Sequence, residues 1–307
     1  METVFVSINL PENSAQIIET LGSKPKFWYG DRTFLFKETR IGTGEDWAEV
    51  VAAAIAEELQ IPHASYWLAT ANERGTLRSG VVTRSFCSGI GNLVLGNELL
   101  LQADPKYQGT EISKFRVADH TVDRVVEAIQ ENIIFAPNSW TGAKQPAVDV
   151  FIGYLLLDAL IGNTDRHHNN WGAVALGRKF LMLAPTFDHA SSLGCQLTDE
   201  KRQARISTRD RGFTPEAYAK RARSRFFNSE GNSQRAFTID AFARACRHSE
   251  NARDRWLQKL ADFDDNVFLA ILQRVPPERI SNVAIEFARR MLLANKRLLL
   301  ELGGGAK

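Results

Sequence analysis

Cysteine is scarce in this chain. Cys87, Cys195 and Cys246 are the only three, and no two stand in a CxxC pair. An odd, scattered set argues against a disulfide framework and a structural zinc site, and it fits a reducing cytoplasm. Long apolar runs are missing as well. The longest, Val150 to Gly162, is interrupted by Asp158 and falls short of the about 18 residues that a membrane span requires. The N-terminus reads Met-Glu-Thr, without the basic region and apolar stretch of a signal peptide. A soluble, cytoplasmic protein is therefore expected. Charge of one sign is not in excess either: the net charge of +2 gives no general attraction to nucleic acid or membrane. What the chain does have is ordinary globular composition, 44% hydrophobic and 24% charged over 307 residues. That is enough for one large domain or two lobes.

The most informative stretch runs from Ile161 to Ser192 and carries three polar landmarks, Asp165, Asn170 and Asp188. Gly172 to Leu176 is small and apolar, Gly177-Arg178-Lys179 is a turn signal, and Phe180 to Leu183 is apolar again, the pattern of a hairpin. Each arm of about eight residues spans roughly 26 Å, but paired strands lie only about 5 Å apart. The hairpin therefore returns Asn170 and Asp188 to one place, with Asp165 on the loop leading in. An amide oxygen and a carboxylate suit Mg²⁺, which borrows one or two protein oxygens and keeps several waters. Asp165 is then placed to accept a proton from a hydroxyl attacking a metal-bound phosphate. The spacing Asp-x-x-x-x-Asn, with a second Asp downstream, matches the catalytic loop and metal-binding Asp of protein kinases.

Upstream, Thr33 to Lys37 alternates as a strand, and Asp46 begins a helix carrying Glu49, Val50, Val51, Ala54, Ile55 and Leu59 at helical spacing. Kinases place a strand lysine on the α- and β-phosphates and hold it with a helix glutamate. Lys37 and Glu49 occupy those relative positions, with Glu45 and Asp46 nearer the helix start as competitors. Val4 to Leu10, Ala64 to Ala71 and Thr76 to Phe86 read as further strands, Pro11 to Leu21 as a short helix, and Gly89 to Gly96 as a flexible link. Helices are expected at 121–134, 147–161, 238–247, 252–263, 267–275 and 277–302. The fold class is therefore α+β and two-lobed, kinase-like, with a β-rich N-lobe over residues 1–88 and a helical C-lobe over 89–307. By order of elements, an adenine-binding hinge falls near Thr83 to Cys87.

The wording Gly-Asn-Thr-Asp-Arg-His-His-Asn-Asn at 162–170 with Ala-Pro-Thr-Phe-Asp at 184–188 resembles the HipA-like kinases. Gly22 and Lys26 resemble that family's phosphate loop, written Gly-x-x-x-Lys, with Ser23 inside it. The resemblance implies a kinase-like fold and an ATP- and Mg²⁺-dependent Ser/Thr kinase. In that reading Asp165 is the base, Asn170 and Asp188 hold the metal, and Lys37, Glu49, Gly22, Ser23 and Lys26 serve the nucleotide. As partners it implies a protein acceptor and, for the toxin members, an antitoxin. Two departures stand out. Only about twenty residues precede Gly22, so the chain looks like a short, core-only member. Leu21 occupies the place where the best-known members have an autophosphorylated Ser, with Ser23 a nearby hydroxyl inside the loop.

Other readings remain open at this level. His167, His168 and His189 beside the carboxylates allow a metal-dependent hydrolase built on Asp165, His167, His168 and Asp188. The fold also admits small-molecule or lipid acceptors, and kinase-shaped binding modules. Lys201 to Arg225 holds nine Lys/Arg against Asp210 and Glu216. It reads either as a solvated face or as a docking surface for an acidic protein, RNA or phosphate, with only weak implication of nucleic acid.

Overall fold

The computed structural model describes residues 3–19, 24–73, 75–107, 117–132, 134–137, 145–177, 180–229 and 234–303. It shows an α+β architecture with a β-rich N-terminal part and a helical C-terminal part. The N-terminal sheet comprises β1 (Ser7–Leu10), β2 (Ile17–Ile18), β3 (Lys26–Tyr29), β4 (Phe34–Glu38), β5 (Tyr66–Glu73) and β6 (Thr76–Arg84), in the order β1-β5-β6-β4-β3-β2. Only the β1–β5 pair is parallel. Helix α1 (Glu45–Glu58) packs on β5 and β6 and meets the helical part on its other side. Eleven of its fourteen residues are buried, because it lies between two layers rather than on a surface.

Over the described residues 11–19 the helix expected for Pro11 to Leu21 does not form. A turn with Asn13 in the left-handed region leads instead into β2, which pairs with Phe27 and Trp28 of β3. A segment this short does not nucleate a helix alone, and the sheet edge offers β-branched Ile17 and Ile18 a ladder. The glycine-flanked link is also corrected. Within Gly89 to Gly96, β7 (Asn92–Leu95) is a strand of a second sheet, followed directly by α2 (Gly96–Ala103). Gly96 is small because a Cβ there would lie 2.2 Å from the Trp171 ring, so this glycine serves packing rather than flexibility.

The second sheet has the order β7-β9-β10-β8, where β8 is Ile134–Phe135, β9 Gly172–Leu176 and β10 Phe180–Leu183. The β9–β10 hairpin has the boundaries its apolar pattern predicts. Helix α3 (Val122–Glu131) ends before β8, three residues short of the expected helix end. Helix α4 (Ala147–Ile161) is buried at all fifteen positions, as its unbroken apolar pattern requires, and Gly162 stops it in the left-handed conformation. Beyond the hairpin come α5 (Asp199–Ser207), α6 (Pro215–Ala219), the two-stranded β11 (Arg223–Phe227) and β12 (Arg235–Phe237), α7 (Thr238–Ala245), α8 (Glu250–Asp262), α9 (Asp265–Gln273) and α10 (Asn282–Glu301). The last helix begins later than Pro277, because Ser281 supplies the cap by accepting the Ala284 N–H at 3.0 Å.

Candidate active site

The end of α4 sets the site. Asp158, one turn before Gly162, receives Nδ2 of Asn163 at 2.8 Å and a two-pronged grip from Arg166, Nε to Oδ2 and Nη2 to Oδ1 at 2.7 Å each. Arg166 is fully buried and donates further to the Thr186 hydroxyl at 2.8 Å and to the carbonyls of Asn170 at 2.5 Å and Phe187 at 3.2 Å. One guanidinium therefore ties the backbone beside Asn170 to the backbone beside Asp188. Sequence reading passed over Arg166. Its only signal was its place between Asp165 and His167.

Asn170 donates its amide nitrogen to the Asp165 carbonyl at 2.9 Å, which commits that end to the loop and leaves the amide oxygen as the end suited to a cation. Asp188 adopts φ +62°, an uncommon conformation for a residue with a Cβ and one found at functional sites. Its backbone N–H donates to the Tyr66 hydroxyl at 3.1 Å, a partner 122 positions away in sequence that local patterns could not reveal. The Asp188 carboxylate faces Lys37 Nζ at 3.3 Å. Burial alone would raise the Asp188 carboxyl, but Lys37, then Lys24 and Lys26, hold it well below the usual carboxylate range. Burial likewise opposes the Lys37 charge, and Asp188, with Tyr66 and Glu49 adding to it, outweighs that effect and raises the lysine.

Lys26 and Lys37 are direct cross-strand partners on β3 and β4. Burial, then Lys37, lowers the Lys26 ammonium. Lys24 pairs with Glu45 at 3.0 Å, and Arg40 holds the other oxygen of Glu45 at 2.7 Å. Gly22 and Ser23 lie outside the described residues. The expected Lys37–Glu49 ion pair is not formed. Glu49 is buried, its Oε1 accepts the His189 N–H at 2.7 Å, and its Oε2 has no hydrogen-bond partner.

Asp165 sits on the other side of Asn170. Burial raises its carboxyl above the usual value against the pull of Arg225, whose Nε reaches Oδ1 at 3.0 Å. This arginine on β11 was missed as a site residue. It belonged to the basic run, with no local mark setting it apart. Asp165, Asn170, Asp188, Lys26 and Lys37 all line one cavity of about 720 Å³ between the two parts of the molecule, together with Thr83 to Cys87, the expected hinge. That volume suits a nucleotide-sized ligand.

The histidines do not assemble a metal centre. His168 turns away to the Tyr107 hydroxyl at 2.8 Å and lies edge-on to His120. His167 Nδ1 accepts the Asn169 N–H at 3.1 Å, and burial pushes His167 and His168 down to about 4. His189 is committed to Thr186 and Glu49. Among the described residues no group of three or more His, Cys, Asp or Glu is arranged to hold a metal ion. The hydrolase reading thus loses its ligand set, whereas an amide oxygen plus one carboxylate fits Mg²⁺, which needs few protein ligands.

No protein-family model matches the sequence, and no curated protein matches it. Solved structures do. The Helicobacter pylori proinflammatory kinase CtkA aligns with a TM-score of 0.69 at 20% identity, covering 99% of this chain and 100% of that one. HipA of Shewanella oneidensis MR-1, solved in a toxin–antitoxin complex with HipB and operator DNA, aligns with a TM-score of 0.55 at 12% identity, covering 92% of this chain and 66% of that one. The likeness to HipA-like kinases read from the catalytic loop thus holds at the level of the whole backbone, and the chain has the two-lobed, kinase-like α+β fold.

Proposed function

We propose that the protein is an ATP- and Mg²⁺-dependent phosphotransferase acting on a Ser or Thr hydroxyl of a protein. One observation carries this reading: Lys37 of the N-terminal sheet meets Asp188 across a cleft whose floor also presents Asp165 and Asn170. Phosphoryl transfer demands positioning and charge neutralisation more than covalent chemistry, and those are the properties of this arrangement.

In this reading residues 1–88 form the lobe above the nucleotide and 89–307 the lobe below. Lys24, Lys26 and Lys37 bind phosphate oxygens, and the 83–87 segment receives the base. When phosphates draw Lys37 away from Asp188, the unpartnered Oε2 of Glu49 becomes its counter-charge and keeps the ammonium aimed. The Asn170 amide oxygen and the Asp188 carboxylate would hold Mg²⁺, which when bound neutralises phosphate charge. Asp165 accepts the proton of the attacking hydroxyl, and its raised carboxyl brings its basicity closer to that of a useful general base at neutral pH. Arg225 fixes the carboxylate from the acceptor side. The three free thiols fit a cytoplasmic setting. Because one neighbour was solved with HipB, the reading extends to a partner protein of the antitoxin kind.

The test is incubation with γ-labelled ATP and a cell lysate, with Mg²⁺ or with a chelator. Label on protein Ser or Thr, dependent on Mg²⁺, is the expected result. Label confined to lipids or small molecules would overturn the protein acceptor, and no label in any fraction would overturn the phosphotransferase.

A further inference from the structure

The basic run at 201–225 separates into two groups. Arg202 is buried, bonded to Asp199 at 2.7 Å and to the carbonyls of Gly194 and Cys195 at 3.2 Å. Arg205 stacks on Phe213 and Tyr218. These two hold α5 and the following turn in place. Lys201, Arg209, Arg211, Lys220, Arg221 and Arg223 are exposed, and none of them forms an ion pair among the described residues.

Three arginines in the run stand at alternate positions, Arg221, Arg223 and Arg225. Within β11 alternate residues share a face, and burial follows that rule: Arg223 is exposed, Arg225 is half-buried, and Ser224 and Phe226 are buried, while the exposed Arg221 stands in the turn just before the strand. The inner end of this row is Arg225 on Asp165. The row therefore leads from solvent to the carboxylate that the proposed reaction uses as base. Arg225 does not line the nucleotide cavity, so the row lies on the acceptor side.

We infer that Arg221, Arg223 and Arg225 form an acceptor-docking track that selects a Ser or Thr lying in an acidic, extended polypeptide segment. This inference rests on the phosphotransferase reading and names its substrate class. Side chains on one face of an extended peptide repeat at about 6.6–6.8 Å, so an acidic segment can present carboxylates in turn to these guanidiniums. Arginine is suited to this, since its planar fork binds a carboxylate in two-pronged fashion. An acidic polypeptide fits better than a nucleic acid. The protein as a whole carries a net charge of only +2, and single-strand binders interleave positive charge with aromatic platforms. Here Arg223 instead covers Phe237 and donates to the Arg235 carbonyl.

The test compares wild-type protein with the double variant Arg221→Glu, Arg223→Glu. Probes are a dye-labelled peptide with one Ser and Glu at alternate flanking positions, its Gln counterpart, and a single-stranded RNA oligomer. Binding is read by fluorescence anisotropy at low and at physiological salt, and phosphate transfer to the two peptides is read separately. Charge reversal of two exposed contacts should weaken binding of the Glu peptide about 10- to 100-fold, raise KM with kcat little changed, and leave the Gln peptide nearly unaffected. Added salt should narrow the difference, since exposed charges are screened over about 8 Å. Equal binding of the Glu peptide by both proteins would overturn the inference, and so would tighter binding of the RNA than of the peptide. Salt-sensitive peptide binding without any phosphate transfer would keep the docking track and sink the phosphotransferase reading instead.

Discussion

On the floor of the cleft, Arg166 is fully buried and commits its donors to Asp158, Thr186 and two backbone carbonyls. On the roof, Lys24, Lys26 and Lys37 crowd toward one floor carboxylate, Asp188. The Arg166 network is closed within the floor, so its energy is realised in the folded chain alone. The roof carries like charges on neighbouring strands, Lys26 directly opposite Lys37, a pairing that is unfavourable in itself. A polyphosphate relieves that repulsion. On the proposed reading, the difference separates groups that hold the site in shape from groups held ready for an anion.

That contrast is sharpest in stability. Arg166→Ala leaves Asp158 buried without its counter-charge, which typically costs about 3–5 kcal/mol. Urea unfolding should show the loss. Lys37→Ala should cost less, because the Asp188 side chain is 32% exposed and water can solvate it. Equal destabilisation by the two changes would erase the distinction between floor and roof.

A smaller effect comes from the roof. With Mg²⁺ and ATP at about a hundred times its dissociation constant, the wild-type protein should gain about 2.7 kcal/mol of stability, read as a rise in Tm. Lys37→Ala should lose most of that gain. A variant that keeps the full shift would show that the lysine does not meet phosphates.

The smallest expected effect is the acid response of the floor. Burial holds His167 and His168 at about 4, below their ordinary 6.5. The folded state keeps them neutral and the unfolded chain takes up their protons first. Their contribution is therefore present above pH 6.5 and is progressively lost as pH falls toward 4. Asp188, also depressed, adds a loss only below about pH 3.9. A urea midpoint that stays flat from pH 7 to pH 4 would contradict this.

Legibility in the sequence followed how local each cause was. That Asp165, Asn170 and Asp188 share one cleft could be anticipated because a hairpin fixes their spacing. The place of Lys37 in it could be anticipated because its strand and the helix after it are adjacent in the chain. The Glu49 pairing expected for Lys37 is absent, since Glu49 is taken by the His189 N–H. Tyr66, Arg166 and Arg225 act through tertiary contacts spanning up to 122 positions, which no local pattern records. Asn92–Leu95 was hidden by glycines whose role is close packing. Ile17–Ile18 was hidden because a two-residue edge strand exists only through its neighbour. In the basic run, composition marked the charge, but only burial told Arg202, which holds the fold, from Arg221 and Arg223, which face solvent.

The central assignment is the division of labour between Asp165 and Asp188, and paired measurement of nucleotide binding and phosphate transfer in Asp165→Asn and Asp188→Asn tests it most directly. Asp165→Asn should bind ATP with Mg²⁺ about as wild type does while transfer falls about 10²- to 10⁴-fold. Asp188→Asn should lose Mg²⁺-dependent binding together with transfer. If Asp165→Asn abolished nucleotide binding while Asp188→Asn retained it, base and metal ligand would be reversed and the assignment would fail.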